Sequence, residues 1–489
     1  MRICWLVSAV LVLAAVASAQ TPEYSVNPRV RQIVDAISED RMVATLHKLE
    51  SFGTRYVLSA QDDPAHGIGA ASRWIHDEFK SYSPKVDVSY QEFTVKKGAR
   101  QGQITRDITI SNVIAVLPGT TYKDRYVVVT AHYDSVALIR KPYTGSNQAV
   151  AEYVRQGYDE AEARRRVSIM PALNEEGPLD IEATATQPIA PGVTDDGSGT
   201  AGVLELARVM SGYEFEKSII FITFAGEEVG LSGSNNYSAV AKKAGMKIEA
   251  LLNNDIIGND VGGNGRIANS VVRLFAAPPE DSLSRQLARY VKEVGERLVP
   301  SMTVNMILRG DRFMRGGDHT PFANQGYAAV RLTSAVENYR DEHTVDDTFA
   351  NTSVPYAARV TRINAAALAT LALAPAPPVL NWSWQSGPNK GGTEPMLSRG
   401  KSGYDAVLRW LPNTEPDLAG YAVLIRSTTS AFWEKEIWVG NVTTYTLPDV
   451  SIDDIVIGVR AVDKDGNESL VSAYLEPVLP AMITATTPK

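Results

Sequence analysis

Ser218-Ile219-Ile220-Phe221-Ile222-Thr223-Phe224-Ala225-Gly226-Glu227-Glu228 is an apolar run of strand length that stops abruptly at two adjacent glutamates. A β-branched and aromatic run without polar alternation reads as a strand buried on both faces, the situation of a sheet covered by helices on either side. Two carboxylates at the end of such a strand repel one another and are costly to bury unless something positive lies between them. A metal ion meets that need. One glutamate can bind it while the other takes a proton from the water it activates.

Three further segments have the same character. Val127-Val128-Val129-Thr130-Ala131-His132-Tyr133-Asp134 is an apolar strand that delivers a His and, two residues on, an Asp on the same side. This is the pattern of a metal-binding imidazole with a carboxylate orienting its N–H. Gly192-Val193-Thr194-Asp195-Asp196-Gly197-Ser198-Gly199-Thr200 sets adjacent acids at a glycine-rich turn that opens a helix over 201–209. In isolation these acids would read as a helix N-cap and its neighbour; beside the other acid-ended strands they read as site residues. Leu251-Leu252-Asn253-Asn254-Asp255 again ends a strand in an acid, and His343 follows in the polar loop His343-Thr344-Val345-Asp346-Asp347-Thr348. Gly316-Gly317-Asp318-His319-Thr320 precedes that loop, whereas His47, His66 and His76 lie in the N-terminal helical region and are assigned to surface or packing.

Around these segments, apolar strands over 86–95, 107–117, 126–131, 217–224, 250–257 and 328–332 alternate with helical spacing over 28–50, 68–80, 199–211, 235–244, 280–298 and 354–374. The interleaving predicts an α/β fold, a mixed and largely buried sheet between helices. Residues 138–190 interrupt the rhythm with a helical pattern near 148–166 and a proline-containing stretch. They are read as an insertion, either a surface excursion or a lid. Ala374-Pro375-Ala376-Pro377-Pro378 is a stiff hinge, which places a catalytic domain over 20–374, a linker over 375–379 and an all-β sandwich over 380–489. The C-terminal part resembles a fibronectin type III module through Trp410, Tyr421 and Val459-Arg460-Ala461-Val462-Asp463. It is read as contacting a surface, a glycan or a protein partner, or as packing on the catalytic domain.

Composition narrows the class. The chain has 489 residues with 48 basic against 56 acidic side chains, net charge −8, so a nucleic-acid footprint is not expected. Met1-Arg2, an apolar run to Val16 and Ala17-Ser18-Ala19 form a signal peptide, residues 1–19, cleaved after Ala19, with no later span long enough for a bilayer. The expected location is therefore secreted or periplasmic. Cys4, the only cysteine, leaves with that leader. The mature chain then has no thiolate, and any metal must be held by imidazoles and carboxylates.

Taken in order, H-x-D, D-D-G-S-G, F-A-G-E-E-x-G-x-x-G-S, N-N-D-x-I-G and H-T-x-D-D-T resemble the co-catalytic di-zinc aminopeptidase family, the bacterial leucyl-aminopeptidase type, over roughly residues 30–372. The resemblance implies the zinc exopeptidase fold, with a mixed, mostly parallel eight-stranded sheet, and two Zn2+ ions per chain. His132, Asp195 and Asp255 would hold one ion and Asp195, Glu228 and His343 the other. Glu227 would be the general base and Asp134 the support of His132. It also implies peptide substrates with a free N-terminus and a cis peptide at Asp195-Asp196. Glu342 stands where related enzymes have a Tyr, with Tyr339 as a substitute. Carboxypeptidases and glutaminyl cyclases resemble the same fold, Arg312 and Arg315 being available for a substrate carboxylate, and an inactive binding ectodomain is the alternative outside enzymes.

Overall fold

The computed structural model describes residues 26–100, 102–142, 145–169 and 177–478. The expected leader, residues 1–19, and Cys4 lie outside the described residues. The part before Ala374 is built on one sheet of eight strands: β1 (Asp87–Val95), β2 (Ile108–Leu117), β3 (Tyr122–His132), β4 (Lys217–Phe224), β5 (Lys247–Asn254), β6 (Val271–Ala276), β7 (Thr303–Ile307) and β8 (Ala329–Ser334), in the spatial order β1-β2-β4-β3-β5-β8-β6-β7. The middle four, β4-β3-β5-β8, are parallel; β1, β2 and the β8–β6 pair run antiparallel.

The unbroken apolar run of β4 is explained by its place. Every residue of it is buried, and its side chains alternate between two cores. Ile219 and Phe221 join Val127, Val129 and Ala131 of β3 in the larger core, while Ile220, Ile222 and Phe224 join Val128 in the smaller one. On the first face lie helices α1 (Pro28–Asp35), α2 (Glu39–Glu50), α3 (Gly67–Tyr82) and, past the insertion, the glycine-rich helix Ser198–Met210 and the C-terminal helix Val354–Leu373; Ser232–Lys243 and His319–Asn324 cover the second. The helical spacing over 28–50 is two helices, because Ala36–Ser38 break it and Ser38 caps the second by accepting from the Arg41 N–H. The pattern near 148–166 is likewise two helices, Ser146–Arg155 and Glu160–Ile169, separated at Gly157, whose φ of +95° suits glycine.

Beyond Ala374 the chain is strand and turn. A three-stranded sheet (Leu397–Arg399, Ala406–Arg409, Thr444–Leu447) faces a four-stranded one (Lys435–Gly440, Leu418–Ser427, Ile455–Asp463, Ser472–Ala473) across Leu408, Trp410, Tyr421, Val423, Leu447 and Val459. Trp410, expected in the core, and Tyr421, expected on a neighbouring strand, are buried with ring centroids 5.3 Å apart in an edge-on contact. The sandwich is seated on the helix Leu283–Leu298. Arg460, buried, donates to Glu468 Oε2 at 2.7 Å and to Glu293 Oε2 at 3.0 Å; Arg297 reaches Glu468 Oε1 at 3.1 Å and the Tyr290 hydroxyl donates to the Glu468 carbonyl at 3.1 Å. Arg426, also buried, forks onto Asp281 at 2.7 and 2.9 Å. Leu470 of the sandwich belongs to the main apolar core.

Buried ion pairs of this kind are costly to break from one side, since the partner charge stays out of water. Arg460→Met should lower stability by less than the about 3–5 kcal/mol of a fully stranded partner, because Glu468 keeps Arg297 and Glu293 is partly exposed, read as a shift of the urea midpoint; an unchanged midpoint would mean that this cluster is not formed in solution.

Candidate active site

The carboxyl ends of the central parallel strands converge, the usual place for a site in an open α/β sheet. β3 ends at His132, whose N–H donates to Asp196 Oδ2 at 3.2 Å and whose carbonyl accepts from Thr200 Oγ1 at 2.7 Å. Its Nδ1 lies 3.1 Å from the main-chain carbonyl of Asp134, so Nδ1 carries the hydrogen and Nε2 is left as the ligand atom. The Asp134 carboxylate stands 3.7 Å from that ring and accepts instead from the N–H groups of Glu227 and Glu228, at 3.2 and 3.3 Å. Asp134 thus ties the end of β3 to the turn after β4 as well as flanking the imidazole.

Asp195 and Asp196 sit on the turn at 193–197 and are joined by a cis peptide bond. The N–H groups of Thr194 and Asp195 each donate to one oxygen of Asp347 at 2.9 Å. Arg55, buried, fixes the segment just before: its guanidinium donates to the carbonyls of Tyr133 (2.6 Å), Leu49 (3.1 Å), Pro191 (2.5 Å) and Gly192 (2.8 Å). Gly192 has φ +50° and any Cβ there would lie 2.4 Å from Ser135 Cβ, so the turn needs glycine. Asp196 faces inward. It accepts from His132 N–H, from Gly199 N–H (2.9 Å) at the start of the helix and from Ile256 N–H (3.1 Å) after β5.

These supports aim Asp195 at two imidazoles. Oδ1 is 3.2 Å from His132 Nε2 and Oδ2 is 3.1 Å from His343 Nε2. His343 Nε2 is also 3.1 Å from Glu228 Oε2, while Glu228 Oε1 is buried without a hydrogen-bond partner. Asp255 Oδ1 lies 3.9 Å from His132 Nε2 and is held at 2.9 Å by Arg331, a fully buried side chain that also reaches Asp311 at 3.1 Å. Two sets of donor atoms result, each within 4.8 Å: His132, Glu227 and Asp255, and Asp195, Glu228 and His343. All five expected ligands and Glu227 are therefore brought together. His319 is not among them. Its Nε2 donates to the Gly310 carbonyl at 2.7 Å and so braces the loop over 308–316. Tyr339 is exposed and does not line the cleft, while Glu342 pairs with Arg315.

Electrostatics agree with a cation between the donors. Burial opposes charging of both imidazoles, yet the surrounding carboxylates, Asp195 first for His132 and Glu228 first for His343, hold them protonated well above the ordinary range. Burial would raise Asp195, and the hydrogen bonds from His132 and His343 override it and hold the carboxyl well below the usual range. Glu227 is pushed well above it by burial, against the pull of His132, with Asp255 and Glu228 adding to the rise. The site therefore favours positive charge between its carboxylates, and an oxygen-and-nitrogen donor set with an orphaned Glu228 oxygen fits a divalent ion of the zinc kind. The cleft over the cluster encloses about 230 Å³, with Leu231 and Met314 on its wall.

Such a donor set at the ends of parallel strands defines a metallohydrolase. The model of peptidase family M28 matches residues 112–368. The chain belongs to peptidase family M28 and is a metallopeptidase. It is 31% identical over 471 residues to a probable zinc metalloprotease of Leptosphaeria maculans, covering 90% of this chain and 95% of the relative. A probable zinc metalloprotease of Pyrenophora tritici-repentis is also 31% identical, over 90% and 95% of the two chains. Among solved structures, the LapA aminopeptidase of Legionella pneumophila shares 19% identity with a TM-score of 0.48, over 72% of this chain and 76% of that one.

The sequence reading did not single out Arg55, Arg331 or Asp347. Only Asp347 carried a signal, as the second acid of Asp346-Asp347. Replacing Asp347 by Ala should leave the Thr194 and Asp195 amides without their acceptor and weaken metal retention by about 10–100-fold, measured by competition with a chromogenic chelator; undiminished retention would show that the turn is held without it.

Proposed function

We propose that the chain is an exported aminopeptidase that binds two Zn2+ ions and removes N-terminal residues from peptides. The observation that carries this reading is the placement of the two Asp195 oxygens, one toward each imidazole of two separate donor sets. A single carboxylate so placed can bridge two cations, His132 and Asp255 completing one set and Glu228 and His343 the other. The curated relatives' description as zinc metalloproteases supports zinc and peptide substrates.

Bound zinc would polarise the scissile carbonyl and make the attacking water acidic. The chain's own residues do the rest. Glu227, on the turn after β4 and held by Asp134 through its N–H, lies within the first donor set and borders the cleft, where a base must stand to take the water's proton and return it to the leaving amine. Arg312 and Arg315, the groups a carboxypeptidase would use, are turned to acids instead: Arg312 to Glu337 at 2.7 Å and to Asp311 at 3.2 Å, Arg315 to Glu342. Among the described residues no helix is long and apolar enough to cross a membrane, and export would rest on the leader 1–19.

Free aminoacyl and dipeptide substrates should be cleaved and their N-acetylated counterparts spared, with activity lost to a chelator and restored by zinc. Cleavage of the blocked substrates would overturn the N-terminal specificity. Glu227→Gln should retain both ions and lose about 10²–10⁴-fold in turnover; near-normal turnover would remove Glu227 from the role of base.

A further inference from the structure

The cleft wall has three arginines, Arg100, Arg312 and Arg315. Two of them are spoken for. Arg312 is nearly buried and paired with Asp311 and Glu337, and Arg315 contacts Glu342 with Glu337 at 3.5 Å. Arg100 differs. It sits on the loop between β1 and β2, it is exposed, and its guanidinium has neither a carboxylate nor a hydrogen-bond partner among the described residues. The side chain leans over Gly230, where a Cβ would meet Arg100 Cδ at 3.8 Å and Nη1 at 3.9 Å. Gly230 follows the Glu227-Glu228 turn directly, so the free guanidinium and the acid cluster share one wall of the same cleft.

An unpaired guanidinium has five N–H donors in a planar fork that fits a carboxylate through two parallel bonds. At the floor, the charges of Asp195, Glu227, Glu228 and Asp255 are those that bound cations would offset, which leaves Arg100 as the uncompensated charge of the cleft. The space within the cleft, about 230 Å³, is small and opens to solvent. A ligand group that meets Arg100 while the scissile bond lies at the donor sets therefore stands close to that bond.

We propose that Arg100 is a specificity-determining residue that binds a carboxylate of the substrate on the leaving-group side of the scissile bond, so that the enzyme favours peptides carrying a carboxylate close to that bond. The carboxylate is either the C-terminus of a dipeptide or an acidic side chain at the second position. This inference rests on the aminopeptidase reading for its direction along the peptide, but not for the recognition of the carboxylate itself.

The zinc-loaded enzyme should be compared on Leu-Ala against Leu-Ala-amide, and on Leu-Glu-amide against Leu-Gln-amide. A charge-assisted bidentate contact predicts kcat/KM about tenfold or more in favour of the free acid in the first pair, of the glutamate in the second, or of both, carried by KM. Arg100→Ala should bring the favoured ratio to near one, and Arg100→Lys should keep part of it. A merely structural role would lower both members of a pair and leave the ratio unchanged, which overturns the proposal, as does a wild-type ratio near one in both pairs. Binding of the same peptides to zinc-loaded Glu227→Gln, followed by calorimetry, should show the same preference without turnover. N-acetyl-Leu-Ala separates the two readings. If it is cleaved with an Arg100-dependent preference for the free acid, the aminopeptidase direction fails and the carboxylate recognition stands; if only free N-termini are cleaved and no ratio depends on Arg100, the direction stands and Arg100 has no such role.

Discussion

The structure turns on a concentration of buried negative charge at the ends of β3, β4 and β5. Asp134, Asp195, Asp196, Glu227, Glu228 and Asp255 converge there, and within the described residues the buried counter-charges are His132, Arg331 and Arg55, with His343 at the cleft side. Isolated ionised carboxylates cannot be carried into such a place without compensation. The chain divides the task. Asp196 and Asp347 accept backbone N–H groups, which makes them joints between segments distant in sequence, although burial still raises both carboxyls above the usual range. Asp195, Glu227 and Glu228 border the cleft, where a cation would offset their charge.

That division explains why the sheet is built as it is. A site whose donors come from three neighbouring strand ends is only as exact as the register between those strands. Pairing of His132 with Phe224 across β3 and β4, and of Thr130 with Asn253 across β3 and β5, fixes that register, and the cores on both faces of β4 prevent it from slipping, since a shift by one residue would exchange its two side-chain sets. The apolar strands are thus part of the site's geometry, and of the interior side chains of β8 Arg331 reaches it directly, at Asp255.

Much of this was legible in the sequence, and for a physical reason. Strands buried on both faces must be continuously apolar, so a charged residue at the end of one marks the boundary between sheet and site; Phe224 followed by Glu227 and Glu228, and Asn254 followed by Asp255, were readable on that ground alone. β6 and β7 were not singled out, because Val271–Ala276 and Thr303–Ile307 are short and the latter alternates on a half-covered edge. Arg55 and Arg331 were invisible because an arginine reads as surface by default. Arg55 does its work through four main-chain carbonyls, and carbonyls have no sequence signature. Arg331 lies inside the apolar run of β8, where its pairing with Asp255 is long-range.

The described residues of the insertion over 138–190 meet the site at one place. None of its described residues lines the cleft; its helices Ser146–Arg155 and Glu160–Ile169 close a small core of their own from Ala149, Val150, Ala163 and Val167. Its contact with the machinery is at its root. The Leu138 N–H donates to the His343 carbonyl at 2.9 Å, and His343 has a φ of +57°, a backbone state unfavourable to a residue with a Cβ. That conformation persists only where surroundings impose it, and here it turns the imidazole toward Asp195 and Glu228. The insertion therefore acts on one of the two donors that no strand delivers: His132, Glu228 and Asp255 are placed by the sheet and Asp195 by the turn at 193–197, while His343 comes from a loop and depends for its backbone on the segment that leaves β3 just beyond His132.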